Sequence, residues 1–348
     1  YGFFPSVSAA WRISAEPFME PFSGVLSNLK LRTSWGRAGT DNIGQFQYMS
    51  AYGTGGDAVF GGQNPEIAPG YTETRFPNPN ITWETSEMFN IGIDASFFNG
   101  KLNLEADWFY KKTNDILRER TDMPAILGYK LPAANVGKVD NRGIDLNITH
   151  RNHLRDFNYS IAGNLTWARN KVIDLLEPAG EKNNPRQRST GHSMSQYFGY
   201  EALGLFQSDE EANNWPQPQF GKANAGDIKY KDQNGDGIID AEDEIAIGRS
   251  NYPELVYGLN LNAEWKGFDI TFFFQGAALA DFYYNGYLAF PYIEGRGGAL
   301  LEHHIGNTWT PENPKAEFPR LYYGGNANNQ LFSSFWMRNG SYLRLKNV

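Results

Sequence analysis

Cysteine is missing from all 348 residues, so the chain has no disulfide framework and no thiolate chemistry. That absence fits cytosol and outer membrane alike. No apolar run approaches the roughly 18 residues of a membrane-crossing helix, which excludes a helical membrane protein. A strand-built one stays open, because a barrel strand needs only every other residue apolar. The net charge of −8, with no basic stripe, argues against a nucleic-acid surface. Motifs for chemistry are missing too: there is no G-x-S-x-G, no Walker A and no dinucleotide fingerprint. His303 and His304 are adjacent but lack HExxH spacing or a third ligand; chain neighbours diverge, so a loop or interface role is expected. Tyr1 follows no initiator methionine and no signal peptide precedes it, so on a membrane reading the chain is expected to be a fragment or processed piece.

What is present is alternation. In Trp83–Lys112, Phe89, Ile91, Ile93, Ala95 and Phe97 share a face opposite Met88, Asn90, Gly92, Asp94 and Ser96. Leu102, Leu104, Ala106, Trp108 and Tyr110 likewise oppose Asn103, Glu105 and Asp107. Period two over this length predicts extended strands with one apolar and one wet face. Each run reaches the roughly 9–11 residues a tilted strand needs to cross a bilayer. Asn99-Gly100 between them predicts a tight type I′ turn.

The same pattern recurs at Pro5–Ala15, Leu29–Arg37, Arg142–His150, Phe157–Arg169, Leu255–Trp265 and Phe268–Gly276. A last pair, Leu331–Arg338 and Ser341–Val348, is joined by Asn339-Gly340, and Lys266-Gly267 makes another turn. About ten strands result. Long excursions, about 38–81, 113–141, 170–253 and 277–329, alternate with short turns. Loops of that length count against strands in a compact soluble domain but are the norm on the outer side of a membrane barrel. Aromatic residues make up 15% of the chain, many near strand ends, as interfacial girdles require. Ten strands with open edges would leave unpaired backbone groups in lipid, so further sequence is expected to complete the barrel.

One loop carries its own signal. Asp232, Asn234, Asp236, the Ile238 carbonyl, Asp240 and Asp243 occupy positions 1, 3, 5, 7, 9 and 12 of an EF-hand-type oxygen loop, with Gly237 at the sixth. A hard divalent cation, calcium, is the expected ligand, held structurally within an insertion spanning 226–247. The flanks read as strands rather than helices, so no calcium-driven opening of a helix pair is expected.

Taken together, FPSVSAAWRIS (4–14), LSNLKLRTSWGRAG (26–39), NPNITWETSEMFNIGID (78–94), LNLEADWFYKKTNDIL (102–117), NVGKVDNRGIDLNI (135–148), GDIKYKDQNGDGIIDAEDE (226–244) and SYLRLKNV (341–348) resemble the SusC/RagA-type TonB-dependent outer-membrane transporters. The resemblance runs along nearly the whole chain. It implies an all-β fold: an antiparallel transmembrane β-barrel segment with long extracellular loops, part of a plugged barrel of about 22 strands. The chain would be the C-terminal part (1–348), without the plug and the final strands. It further implies a Gram-negative outer-membrane location and import of an oligosaccharide or peptide under a SusD-like surface lipoprotein. Energy would come from the TonB complex through an N-terminal region not in this chain.

Wet-face acids such as Asp94, Glu105, Asp107, Asp145 and Glu264 could form a glycosidase pair, but they read as barrel wall, and no catalytic residue is assigned. The expected substrate contacts are aromatics of the excursions: Tyr48, Tyr52, Phe60, Trp215, Tyr283, Tyr284, Tyr287, Tyr292 and Trp309, because flat rings stack on sugar faces. Lys111 and Lys112 read as interfacial charges. A soluble, secreted, calcium-stabilised β-rich carbohydrate-binding or adhesive protein is the alternative, and detergent dependence separates the two.

Overall fold

A computed structural model describes residues 2–41, 46–62, 65–118, 132–177, 186, 188–292, 300–323 and 326–348. The chain divides into two compact units: Tyr1–Pro178 with Tyr257–Phe274 and Leu345–Val348, and Ala179–Val256 with Gln275–Arg344.

The first unit holds most of a nine-stranded sheet whose order follows the sequence. Its strands are β1 Ser6–Trp11, β2 Leu26–Thr40, β3 Glu84–Phe97, β4 Leu102–Arg118, β5 Ala134–Leu154, β6 Phe157–Asp174, β7 Leu255–Trp265, β8 Phe268–Ala278 and β9 Tyr342–Asn347. The pairs from β1–β2 to β5–β6 are antiparallel. Connections at 12–25, 98–101, 155–156 and 266–267 alternate with those at 41–83, 119–133, 175–254 and 279–341. The short/long asymmetry of the sequence is thus reproduced in the chain path. Part of each long connection lies outside the described residues.

Register explains the alternation. Side chains of directly paired residues share a face, so Thr33, Ile91, Trp108, Ile144 and Trp167 form one row across five strands. Leu31, Ile93, Ala106, Leu146 and Leu165 form the next, and Leu29, Ala95, Leu104, Ile148 and Gly163 a third. This apolar face is uncovered: Ile144 is 43% exposed, Ile148 42% and Ile161 44%. The carboxylates of the opposite face are more sheltered, with Asp94 at 25% and Asp107 at 20%. A water-soluble sheet hides its apolar side and wets its polar one. Here the order is reversed, as a wall between lipid and a polar interior requires.

Several expectations needed correction. Among the described residues the wall has nine strands, in keeping with the about ten expected, but not every expected strand is one of them. Leu331–Arg338 is no wall strand; it holds a 3₁₀ turn at Ser334–Trp336 and a short strand, Met337–Asn339, paired with Asp281–Tyr283. The physical reason is Trp336, which is 1% exposed and donates its indole N–H to the Asn329 carbonyl, so this stretch serves an interior instead of a lipid face. Asn339-Gly340 therefore does not join two wall strands. The first strand stops at Trp11, where Ile13–Ala15 winds into a 3₁₀ turn. Asn99-Gly100 belongs to a four-residue loop in which Phe98, Asn99 and Gly100 all have positive φ. The two-residue turn with both φ positive is found at Lys266-Gly267 instead. Strands β2, β4, β5 and β6 run longer than periodicity marked, because they continue past the apolar belt into polar ends.

The second unit is not irregular loop. Tyr200, Ile228, Tyr230, Ile239, Ala289, Phe318 and Trp336 make a buried cluster, backed by partly buried Phe220, Tyr283, Tyr284, Phe290 and Leu331. Short ribbons frame it: Tyr197–Gly199 with Ile245–Ile247, Ala202–Leu205 with Ile228–Tyr230, and Gln217–Pro218 with Ile238–Ile239. A five-residue helix, Asp209–Asn213, is capped by Ser208, whose hydroxyl accepts from the Glu211 amide.

Candidate functional site

On the polar face of the wall, one arginine ties three strands together. Arg32 on β2 donates through Nε to both Asp94 oxygens at 2.9 Å on β3, and through Nη1 and Nη2 to Asp107 on β4 at 3.0 and 2.8 Å. Bidentate, charge-assisted geometry of this kind is the strong form of an ion pair. Arg32 reaches β4 only by crossing β3, and the residue it crosses is Gly92, which pairs with both Arg32 and Asp107. A Cβ there would overlap the Asp107 carboxylate and stand 2.9 Å from Arg32 Nη2. The glycine is thus required by a close approach of side chains, not by its own backbone angles. Asp94 and Asp107 thus share one guanidinium, with Lys30 3.9 Å from Asp94. A second polar hollow on the same face is lined by Asn103, Glu105, Asn147, Thr149, Asn164 and Asn260.

The oxygen loop folds through its own side chains. Asp232 accepts from the amides of Gly235 (2.6 Å) and Gly237 (2.9 Å), Asn234 from Asp236, and Asp236 from Ile238. Gly235 and Gly237 both have positive φ, so the sixth position is as the motif requires. Asp243 is fully buried and staples the loop, accepting from Gln233 (2.6 Å) and Asp240 (3.0 Å). The Gly237 and Ile239 carbonyls accept from Gln217 and Gln219, so the Ile238 carbonyl between them faces the other way. The flanking strands Ile228–Tyr230 and Ile245–Ile247 are present as the sequence indicated. Among the described residues, no group of three or more His, Cys, Asp or Glu converges as metal ligands would. The donor set is hard oxygen throughout, which is the chemistry a calcium ion takes.

The aromatic candidates fall into two groups. Tyr48, Tyr52 and Phe60 in the first unit and Tyr287 in the second are exposed, and Tyr292 is half-buried. The other four are engaged in packing. Trp309 is buried, with its indole 3.5 Å from the Gln207 side-chain oxygen. Trp215 donates to the Tyr230 carbonyl and lies under the Lys229 ammonium at 3.8 Å. Tyr283 packs on Phe332 with centroids 4.1 Å apart, and burial pushes its phenol up to about 12. The Tyr284 hydroxyl donates to the Leu288 carbonyl.

Two features escaped the sequence reading. Asp227, fully buried, accepts from Arg320 Nε (2.9 Å), Asn326 (3.0 Å), Asn329 (2.9 Å) and the Asn224 amide (2.8 Å). Its side-chain partners lie about a hundred positions away in the chain, so no local spacing could announce it. His303 and His304 do not diverge. Their rings stand 4.0 Å apart and both Nε2 atoms face the Leu288 carbonyl, at 2.8 and 3.1 Å. His304 Nδ1 accepts from the Leu301 amide, which fixes the neutral tautomer with its proton on Nε2. Burial, and then His303, hold the His304 pKa below the usual imidazole range.

Comparison with known proteins agrees with this architecture. A family described as TonB dependent receptor-like, beta-barrel, matches residues 1–347. TonB-dependent receptor P26 of Formosa agariphila is 33% identical over 361 residues, covering 100% of this chain and 35% of that protein. TonB-dependent receptor SusC of Bacteroides thetaiotaomicron is 26% identical over 362 residues, covering 100% of this chain and 34% of its own length. The RagAB peptide importer in its open-open state superposes over 99% of this chain and 35% of its own, with a TM-score of 0.74 at 23% identity. The chain therefore spans about a third of the length of the relatives it matches.

Proposed function

The chain belongs to the TonB-dependent receptor-like β-barrel family, and from that premise we propose that it supplies wall strands and outer loops to an importer of oligosaccharides. Members of this family are outer-membrane transporters rather than enzymes, and the chain is an outer-membrane β-barrel segment. The observation that carries the reading is the inverted wall, apolar and uncovered on one face, polar and ion-paired on the other. In the proposal the polar face lines the passage, and the exposed aromatics Tyr48, Tyr52, Phe60 and Tyr287 offer ring faces to sugars. A SusD-like surface lipoprotein covers the entrance, and the TonB complex acts through the remainder of the protein. A peptide substrate is the second reading, favoured by the backbone likeness to a peptide importer.

The test uses the full-length protein. Recovery only in detergent extracts of the outer membrane, with a bound lipoprotein and uptake of a glycan but not of peptides, is the expected result. A folded, detergent-free protein in the soluble or secreted fraction would sink the proposal.

A structural calcium ion belongs to the same proposal, held by Asp232, Asn234, Asp236, the Ile238 carbonyl, Asp240 and Asp243. Its support is the oxygen spacing, the positive φ of Gly237 and the direction of the Ile238 carbonyl. When bound, the ion supplies a divalent positive charge that gathers these oxygens and stiffens the loop. Terbium luminescence sensitised by nearby aromatics should rise on titration, be displaced by calcium, and vanish in Asp232→Ala/Asp236→Ala. Equal luminescence in the double variant would overturn the assignment.

A further inference from the structure

The outward face of the wall is not apolar to its end. Beyond the row of Thr33, Ile91, Trp108, Ile144 and Trp167, the next outward row reads Trp35, Phe89, Tyr110, Arg142, Arg169. The one after it reads Arg37, Glu87, Lys112, Asp140, Lys171. Five basic side chains thus share the lipid-side face of β2, β4, β5 and β6 within two adjacent rows, and all five are exposed. Only two acids accompany them, and each has a partner: Glu87 lies 3.9 Å from Arg37, and Asp140 accepts the Tyr110 hydroxyl.

Position gives the cluster its meaning. These rows lie toward the end of the wall where the 41–83, 119–133 and 175–254 connections leave the sheet. At the opposite end the outward positions are Phe97, Leu102, His150, Ile161, Tyr159, Asn152, Phe157 and Leu154, with no lysine or arginine. From the Trp35 row to the Phe97 row is eight residues of strand, about 27 Å along a strand and about 20 Å of height at a barrel tilt of roughly 40°. That height matches an apolar band of about 25 Å, with Trp35, Phe89, Trp108, Tyr110 and Trp167 as the aromatic girdle at its loop end. Long loops of such barrels face outward from the cell, so the basic rows stand where headgroups of the outer leaflet begin.

The geometry points to a binding site for the phosphate groups of an outer-leaflet lipid, formed on the outer surface by Lys112, Arg142 and Lys171 with Arg37 and Arg169 beside them. The chemistry is direct. Arginine presents a planar fork of N–H groups that donates to two phosphate oxygens, lysine adds point charge, and the girdle aromatics below cover the start of the acyl chains. The polar-face lysines and arginines cannot serve, because they point away from lipid; Arg32 among them is committed to Asp94 and Asp107.

The experiment places the full-length protein and its Lys112→Gln/Arg142→Gln/Lys171→Gln variant in phosphatidylethanolamine nanodiscs. Titration with bisphosphorylated lipid A is compared with its dephosphorylated form and with inorganic phosphate. Each removed charge near an anionic headgroup is worth roughly a factor of five, so retention of the bisphosphorylated lipid should fall about 100-fold in the triple variant. Retention of the dephosphorylated lipid should be the same in both proteins. Unchanged melting in discs without lipid A shows that the variant is folded. Equal retention of both lipids by the parent protein would overturn the proposal, as would competition by millimolar inorganic phosphate, which would mark a free-phosphate site. A Lys30→Gln/Lys111→Gln variant, changed on the polar face, should bind as the parent does, and an equal loss there would also overturn it.

Discussion

Gly92→Ala tests whether the polar face of the wall is held by the Arg32 cluster. In a strand interior, alanine normally gains about 0.5–1 kcal/mol over glycine by restricting the unfolded chain. Here the added Cβ would displace Asp107 from Arg32. Two charge-assisted hydrogen bonds would be lost, each worth roughly 1.5–3 kcal/mol. Arg32 is one-third exposed and keeps both bonds to Asp94, so solvent screening brings the low-end sum of about 3 kcal/mol down to about 2 kcal/mol. The net expectation is a destabilisation of about 1–2 kcal/mol. With Asp107→Ala already in place there is nothing left to displace, and Gly92→Ala should become neutral or stabilising by up to about 1 kcal/mol. Urea unfolding of the full-length protein in lipid vesicles, followed by heat-modified gel migration, gives the four midpoints of this cycle. If Gly92→Ala has the same effect in both backgrounds, Arg32 does not depend on the glycine gap and the reasoning fails.

Three further outcomes follow from the second unit. Asp227→Asn should loosen it by roughly 3–5 kcal/mol, because Arg320 and three amide donors lose a buried carboxylate; limited proteolysis should cut within 200–340 while the wall still migrates as folded. Acid should destabilise the unit in two steps. His304 has a lowered pKa, so its contribution is complete above about 6.5 and declines as pH falls below it. Glu201, lowered by hydrogen bonds from Gln233 and Lys231, and Glu211, lowered by the Gln207 amide and Lys229, contribute above about 4.5 and lose that contribution as pH falls further. Fluorescence melts should show the first step vanish in His304→Gln and persist in His192→Gln; a first step that survives His304→Gln would refute the assignment. Finally, Trp309→Ala should lower the stability of the unit by about 3–5 kcal/mol, whereas Tyr287→Ala should leave melting unchanged and weaken glycan binding several-fold; unaltered glycan affinity in Tyr287→Ala removes that ring from the substrate path.

The sequence by itself determined the wall. Alternation is a local property, and a strand's two faces are set by residue parity alone. So β3, β4, β7 and the apolar rows of Ile91, Trp108 and Ile144 were readable from composition along the chain. The spacing of the oxygen loop is local in the same sense, its six candidate oxygens lying within twelve residues. Strand ends were less legible, because outside the apolar belt nothing in polarity separates a strand from a loop. Parity also misled at Leu331–Arg338, where alternating apolar residues serve a buried cluster around Trp336 rather than lipid.

Only the tertiary structure decided what depends on cross-strand register and long separation. Arg32, Asp94 and Asp107 are 62 and 75 residues apart and meet because β2, β3 and β4 pair in one register across Gly92. Lys112, Arg142 and Lys171 become one outward patch by the same arithmetic, which no single strand contains. Asp227 finds Arg320 and Asn329 only after the second unit closes. A pattern of period two tells each residue which face it takes; which neighbours it meets there is set by how the strands slide against one another, and that is fixed only when they pair.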